Sequence, residues 1–140
     1  MIRSLKIVVI SGMLITLAGL AAAQDSKSAT ATRKKLQQKV TVNEKDVGLK
    51  AFMEDLMKNT VDKEIRYKID NANGLSNNMK VSYSGKDVTV GKLLNDLSDK
   101  FDFGWYVYSD AANNKEDGKV VIRRIAKGKE RGYEAGKEPK

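Results

Sequence analysis

The 140-residue chain contains no cysteine and no histidine. Without thiolate or imidazole groups it cannot form disulfides, a cysteine nucleophile, a histidine-based catalytic triad, or the usual zinc and haem sites. We therefore expect no metal ion and no cofactor. A chain without disulfides must be held together by its hydrophobic core alone. Carboxylates are the groups that remain for catalysis.

Carboxylate catalysis is not indicated by the sequence either. The candidate acids are Glu54 and Asp55 on the first predicted helix, and Asp96 and Asp99 on the second. All four fall off the apolar stripe of their helix, on wet faces where burial does not raise the pKa of a carboxyl group. The Asn- and Asp-rich loops also lack the ligand spacing of an EF-hand. We predict that the protein is not an enzyme and has no catalytic residues.

Residues 1–23 have the three-part layout of a secretory signal peptide. Arg3 and Lys6 precede an apolar run over residues 7–20, and small alanines follow before Gln24. This run is shorter than the roughly 20 residues that a helix needs to cross a bilayer, so we expect no transmembrane segment after cleavage. An uncleaved N-terminal anchor is the alternative. We expect an exported protein, in the periplasm of a Gram-negative-type envelope or secreted, whose mature form begins near Gln24.

The net charge of +8 is unevenly distributed. Residues 24–39 carry a net charge of +4 and residues 119–140 a net charge of +5, whereas residues 40–118 carry −3. We expect residues 24–39 to form a disordered basic linker, because one large apolar residue cannot offset the chain entropy. Residues 126–140 are expected to form a charged, flexible tail. Basic arms of this kind favour anionic surfaces.

Two stretches, residues 39–58 and 80–99, are versions of each other at an offset of 41 residues. We call them the first and second repeat segments. Each is predicted to form a strand followed by a helix, and each is followed by a β-prone run that ends in aspartate. The identical pairs are Lys39/Lys80, Val40/Val81, Lys45/Lys86, Asp46/Asp87, Val47/Val88, Asp55/Asp96 and Leu56/Leu97.

Hydrophobic periodicity over residues 40–125 predicts an α+β domain of order β-α-β-β-α-β-β, with two helices packed against small mixed sheets. Asp46 and Thr89 are the expected N-terminal capping residues of the two helices. The strands are expected at residues 40–42, 65–70, 79–83, 103–108 and 119–124. The core is expected to contain Leu49, Phe52, Leu56, Leu93, Leu94, Leu97 and Trp105.

Four segments together resemble the short N-terminal domain shared by secretins and TonB-dependent transporters. They are residues 46–56 (DVGLKAFMEDL), 86–97 (KDVTVGKLLNDL), 103–107 (FGWYV) and 118–122 (GKVVI). The family has a D-V-P-L-x-x-A-L-x-x-L helix, a V-T-x-x-E-A-L-x-x-L-L helix and a G-L-x-Y…I-x-I hairpin in this order. The resemblance covers about residues 40–125.

The chain departs from this family pattern at Gly48, where proline is usual, and at Gly91, where glutamate is usual. The resemblance implies two helices between two small sheets, no catalysis, and contact with protein partners in the periplasm. In secretins these partners are inner-membrane machinery, and in transporters a signalling regulator. Since the sequence shows no further secretin domain and no barrel, we expect a stand-alone copy that retains the docking role.

We expect an exposed strand edge near the final hairpin to bind the partner, with basic residues steering an acidic one. The partner is expected to be another envelope protein. The alternative is a small envelope-associated structural protein whose basic arms bind anionic polymer or lipid headgroups. Nucleic acid is not expected, because the body of the chain is acidic. The candidate partner-binding residues are Tyr106, Tyr108, Arg123, Arg124, Lys127, Lys129 and Arg131.

Overall fold

The computed structural model describes residues 25–124, which form an α+β fold. From β1 onward the helices and strands follow the predicted order, and one additional helix precedes them. The predicted signal peptide and the predicted tail, including Lys127, Lys129 and Arg131, lie outside the described residues. The elements are α1 (Lys27–Lys35), β1 (Lys39–Gly48), α2 (Leu49–Glu54) continued by a π-helical turn (Asp55–Thr60), β2 (Tyr67–Ile69), a 3-10 turn (Ala72–Gly74), β3 (Lys80–Thr89), α3 (Val90–Phe101), β4 (Gly104–Val107) and β5 (Val120–Arg123).

The strands form two small sheets. β1 and β3 make a two-stranded antiparallel ribbon, and the other sheet has the order β2-β5-β4. In that second sheet β2 runs parallel to β5, whereas β4 and β5 form the predicted antiparallel hairpin. Helices α2 and α3 pack on the ribbon, and α3 also packs on β4. Within residues 25–124, no helix is both long enough and apolar enough to cross a bilayer.

The apolar faces of α2 and α3 form the centre of the core, as predicted. An apolar residue at every third or fourth position gives each helix one continuous hydrophobic stripe, which the two sheets cover. The seven predicted core residues are all at most 2% exposed, and they are Leu49, Phe52, Leu56, Leu93, Leu94, Leu97 and Trp105.

The ribbon is longer than the sequence pattern indicated. β1 and β3 each span ten residues, whereas the alternation of apolar residues predicted strands only at residues 40–42 and 79–83. The missed halves are mostly exposed to solvent, so no hydrophobic pattern marks them. Backbone pairing between the two strands extends them past the point where the alternation ends.

The pairing of the ribbon is symmetric under the 41-residue offset. Lys39 pairs with Thr89 and Lys80 with Gly48, while Asn43 pairs with Ser84 at the centre. Two irregularities of register lie at matching distances from that centre. The strands of the two repeat segments therefore occupy corresponding positions in the ribbon.

The two irregularities use the same local contacts. The backbone of Asp46 and that of Asp87 both have a φ of 52°, in the left-handed region that aspartate tolerates better than most residues. The amide of Asp46 donates to the hydroxyl of Ser82 at 2.9 Å, and the amide of Asp87 donates to the hydroxyl of Thr41 at 3.2 Å. Each strand thus supplies the hydroxyl that satisfies the bulged amide of its neighbour.

The predicted cap of α2 is wrong, and that of α3 is confirmed. Asp46 lies in the bulge, and Gly48 occupies the N-cap position of α2 without a side-chain hydrogen bond. The first amide of α2 donates instead to the carbonyl of Met79 at 2.8 Å. At α3, the hydroxyl of Thr89 accepts from the amide of Lys92, as expected for a threonine N-cap.

The correspondence between the repeat segments ends within their helices. α2 passes into a π-helical turn at Asp55, whereas α3 is a regular helix of twelve residues. The following strands also differ, because β2 is parallel to its neighbour and β4 is antiparallel. A duplicated strand–helix–strand unit therefore stays a prediction.

The prediction of a disordered linker over residues 24–39 is wrong for its described part. This stretch contains α1, whose Ala29 is 0% exposed and whose Leu36 is 3% exposed. Thr32 is buried between them, so the buried positions follow the spacing i, i+3 and i+7. Small buried side chains allow a helix to pack closely against the rest of the protein. A count of large apolar residues does not detect this contribution to stability.

Helix α1 is fixed at its start by polar contacts with the loop between β4 and β5. The hydroxyl of Ser26 caps the helix by accepting from the amide of Ala29 at 3.0 Å, and it donates to the buried carboxylate of Asp117. Thr32 donates to the carbonyl of Gly118 at 2.5 Å. The contacts with Asp117 and Gly118 join residues that are more than 80 positions apart in the sequence.

Candidate protein-binding site

Strand β2 is an open edge of the three-stranded sheet. The carbonyl of Arg66 accepts from Val120, and the amide of Asp70 donates to Ile122, so these groups point toward β5. Backbone groups alternate in direction along a strand, and the amides and carbonyls of Tyr67 and Ile69 therefore point away from β5. In the described part of the chain, no other strand pairs with this side of β2.

A basic cleft of about 390 Å³ lies along this open edge. It is bounded by β2, by α2 with its π-helical turn, and by the loop that contains Asn77. Glu64 is the one acidic residue of its lining. The basic residues of its lining are Lys50, Lys58, Arg66, Lys68 and Lys119.

Nearby carboxylates neutralise part of this positive charge. Lys58 lies 3.3 Å from Glu54, while Glu116 lies 3.1 Å from Lys119 and 3.8 Å from Lys68. The hydrogen bond from Lys119 is the largest cause that holds the pKa of Glu116 below its usual value. A positive excess remains along the edge, because the five basic residues of the lining outnumber Glu64, Glu54 and Glu116.

Arg66 and Lys50 keep charge available to a ligand. The guanidinium of Arg66 donates to two backbone carbonyls, those of Lys115 at 2.6 Å and Asp117 at 3.2 Å, so no carboxylate neutralises it there. Lys50 is exposed on α2 at the opposite wall of the cleft. An extended acidic segment in the cleft would meet cationic side chains from both walls.

The four described hairpin residues that were predicted to bind a partner lie in different environments. Tyr106 is only 3% exposed and pairs across the strands with Val121, which is also buried, so its expected place in an exposed surface is wrong. Tyr108 is half-buried after the end of β4. Arg123 lies 3.9 Å from Asp70, and Arg124 is exposed beyond β5.

Strand β4, the other edge strand of this sheet, is more buried than β2. All four residues of β4 are buried, and α1 packs against this strand. The hydroxyl of Ser109 accepts from the amide of Ser26 at 2.8 Å, which holds the start of α1 beside the end of β4. The more exposed edge strand of this sheet is therefore β2, on the other side of β5.

The basic residues of the cleft come from separate parts of the chain and were not predicted as a site. Lys50 follows β1, Arg66 precedes β2, Lys68 lies within β2, and Lys119 precedes β5. The alternation of Arg66 and Lys68 with apolar residues did indicate a strand with one wet face. The spacing of residues in the sequence did not show that β2 pairs in parallel with β5. This pairing is what places Lys119 beside Arg66 and Lys68.

A second polar feature, on α3, couples a tyrosine to a carboxylate. The hydroxyl of Tyr83 donates to Asp96 at 3.0 Å, and Lys92 lies 2.7 Å from the same carboxylate. Burial, followed by this hydrogen bond, raises the pKa of Tyr83 to about 12. The hydrogen bond from Lys92 is the largest cause that lowers the pKa of Asp96.

We predict a loss of stability above pH 10 that depends on Tyr83. Its pKa in the folded state lies above the usual tyrosine value of 10.0, so its contribution to stability is fully present below pH 10 and is lost as the pH rises toward about 12. Urea midpoints of the wild type and Tyr83→Phe should therefore converge on going from neutral pH to about pH 12. A difference that stays constant over this range would contradict the prediction.

Within residues 25–124, no group of three acidic side chains is placed to hold a metal ion. Comparison of the chain with protein-family models, with characterised proteins and with solved structures gives no match. The basic cleft along β2 is thus interpreted from its own geometry.

Proposed function

We propose that this chain is an exported protein-interaction module without catalytic activity, which docks an extended acidic segment of another envelope protein along β2. The observation that carries the proposal is the open edge of β2 beside the basic cleft. Unpaired backbone groups at a sheet edge accept an added strand, and the surrounding side chains select its sequence.

The arrangement of helices and sheets supports a docking role of the type that the sequence resemblance implies. Helices α2 and α3 contact the ribbon, and α3 also contacts the three-stranded sheet. The resemblance to the short N-terminal domain of secretins and TonB-dependent transporters implies two helices between two small sheets. We propose on this basis that the chain acts in the periplasm by contacting a protein partner.

The alternative, binding of anionic polymer or lipid through basic arms, is less well supported in the described residues. The N-terminal arm is the docked helix α1, and its Arg33 lies 2.6 Å from Asp25. Lys35 donates to the carbonyl of Glu64 at 2.9 Å. Arg33 and Lys35 are thus held against the protein, whereas Lys27, Lys34 and Lys39 of the same stretch are exposed to solvent.

Reversing charge in the cleft should weaken binding of an acidic strand. We expect Lys50→Glu combined with Lys68→Glu to reduce affinity for an acetylated peptide of alternating glutamate and valine by about tenfold or more, because two attractive contacts become repulsive. Calorimetric titration at about 0.15 M ionic strength, where the Debye length is about 8 Å, measures the effect, and further added salt should weaken wild-type binding.

The matched control is Lys45→Glu combined with Lys86→Glu. Both lysines are exposed on the ribbon and lie outside the lining of the cleft, so the change in net charge is the same. This variant should bind the peptide within about twofold of the wild type, since distant exposed charges are screened. Equal loss of affinity in the two variants would show a non-specific charge effect and would remove the cleft as the site.

A further inference from the structure

A groove of about 210 Å³ lies between β1 and α2 with its π-helical turn. It shares no lining residue with the basic cleft along β2. Its floor is apolar and consists of the buried side chains of Val42, Phe52 and Leu56. The carboxylates of Glu44 and Asp55 are exposed at its rim.

The corresponding place in the second repeat segment is filled by the protein itself. Tyr83 stands 41 positions after Val42 and is partly buried against the core. Its hydroxyl donates to Asp96, which stands 41 positions after Asp55. The second segment thus shows a phenol ring between strand and helix, with its hydroxyl on this helical aspartate.

Glycine on the strand provides the space for that ring. A Cβ atom at Gly85 would lie 2.7 Å from Cε1 of Tyr83, so the ring lies directly against the glycine backbone. In the first segment Val42 replaces the tyrosine, and Glu44 replaces the glycine. The strand of that segment therefore supplies no ring of its own, and the groove stays open.

Asp55 also lacks the phenol donor and the charged donor of its counterpart. Asp96 accepts from Tyr83 and from Lys92, whereas Ala51 stands at the position corresponding to Lys92. Asp55 accepts from Asn59 at 3.0 Å and from the hydroxyl of Thr60 at 3.4 Å, which is a long contact for a hydroxyl donor. An ionised carboxylate has about four acceptor sites, so Asp55 keeps capacity for another donor.

We infer that this groove binds the phenol group of a tyrosine side chain presented by a partner protein. The ring lies on Val42 and Phe52, and the hydroxyl donates to Asp55, as Tyr83 does to Asp96 in the second segment. Two carboxylates at the rim favour a hydroxyl donor over an acceptor. This site does not depend on the proposed docking along β2, because the two surfaces share no residue of their lining.

The probe for this site is p-cresol, the side chain of tyrosine as a free molecule. In an NMR titration of the protein, we expect millimolar binding with shifts concentrated at the methyl groups of Val42, Ala51 and Leu56. The matched compound 4-methylanisole has no hydroxyl donor and should bind about tenfold more weakly, the effect of losing one hydrogen bond to a charged group. Absence of p-cresol shifts at these methyl groups would overturn the inference.

Two sets of variants locate the site. Val42→Tyr combined with Glu44→Gly gives the first segment the residues of the second, so the new tyrosine should fill the groove and abolish p-cresol binding. Asp55→Ala should weaken binding about tenfold, whereas Asp99→Ala, an exposed aspartate on α3, should leave it unchanged. Unaltered binding in both the double variant and Asp55→Ala would place p-cresol elsewhere and overturn the inference. Either outcome leaves the charge-reversal test on β2 unaffected.

Discussion

Leu97→Ala should lower the free energy of unfolding by about 2–5 kcal/mol, and Leu56→Ala should lower it by a similar amount. Both side chains are central to the apolar faces of their helices and are at most 2% exposed. Truncation removes buried methyl groups and leaves a cavity that the close-packed core fills only in part. Urea denaturation at neutral pH measures both values.

Asp99→Ala provides the control for these truncations. It lies on the same helix as Leu97 but is exposed, so its effect on stability should stay within about 0.5 kcal/mol. A wild-type midpoint for either leucine variant would mean that its helix face does not form the core. Strongly unequal losses would show that the two helices are not packed in equivalent ways.

Removal of residues before Gln38, and with them α1, should lower the free energy of unfolding by at least about 3 kcal/mol. Leu36 alone contributes roughly 1.5–3 kcal/mol as a buried aliphatic side chain. The truncation also leaves the carbonyl of Gly118 and the carboxylate of Asp117 without their partners on the helix. A disordered linker would give no change in the urea midpoint.

A pair of glycine substitutions isolates the packing of α1. Gly118 has a φ of +81°, and a Cβ atom there would lie 2.8 Å from that of Ser28 on the helix. Gly74 has a similar φ of +83°, with nothing within 4 Å. Both alanine variants incur the left-handed backbone cost of about 1–2 kcal/mol, but only Gly118→Ala also displaces α1. Equal destabilisation of the two variants would contradict the packing described for α1.

The sequence was sufficient to predict the core and the order of the elements that follow α1. The stripes from Leu49 to Leu56 and from Leu93 to Leu97 repeat at helical spacing, which is a strong local signal. Thr89 was recognisable as a cap for the same reason. These features depend on neighbours within two turns of a helix, so one sequence contains enough information to find them.

Features that depend on distant contacts were not predictable in this way. Helix α1 has few large apolar residues, and the burial of Ala29 and Thr32 depends on a loop more than 80 residues later. Asp46 has the residue type of a helix cap, but pairing with β3 places it in a bulge. Tyr106 alternates along its strand with core residues, so its side chain was expected to be exposed. In the structure it is buried beside Val121.

The residues of the candidate site were not predicted, since none of the described hairpin candidates lines the cleft. An exposed strand edge near the final hairpin was expected, and β2 does border β5 of that hairpin. The sequence did not show which edge strand is more exposed, because β4 is packed against α1, a helix that was not predicted. The cationic cleft could be found only after parallel pairing had placed Lys119 beside Arg66 and Lys68.

Amide chemical shifts during titration with the acidic peptide test the docking proposal most directly. If an extended strand adds to β2, the amide protons of Tyr67 and Ile69 should move downfield and become protected from solvent exchange, since they gain hydrogen bonds. The amide of Lys68, which the alternation directs toward β5, should change much less. Shifts confined to the exposed lysine side chains, with the amides of Tyr67 and Ile69 still exchanging freely, would contradict strand addition at this edge.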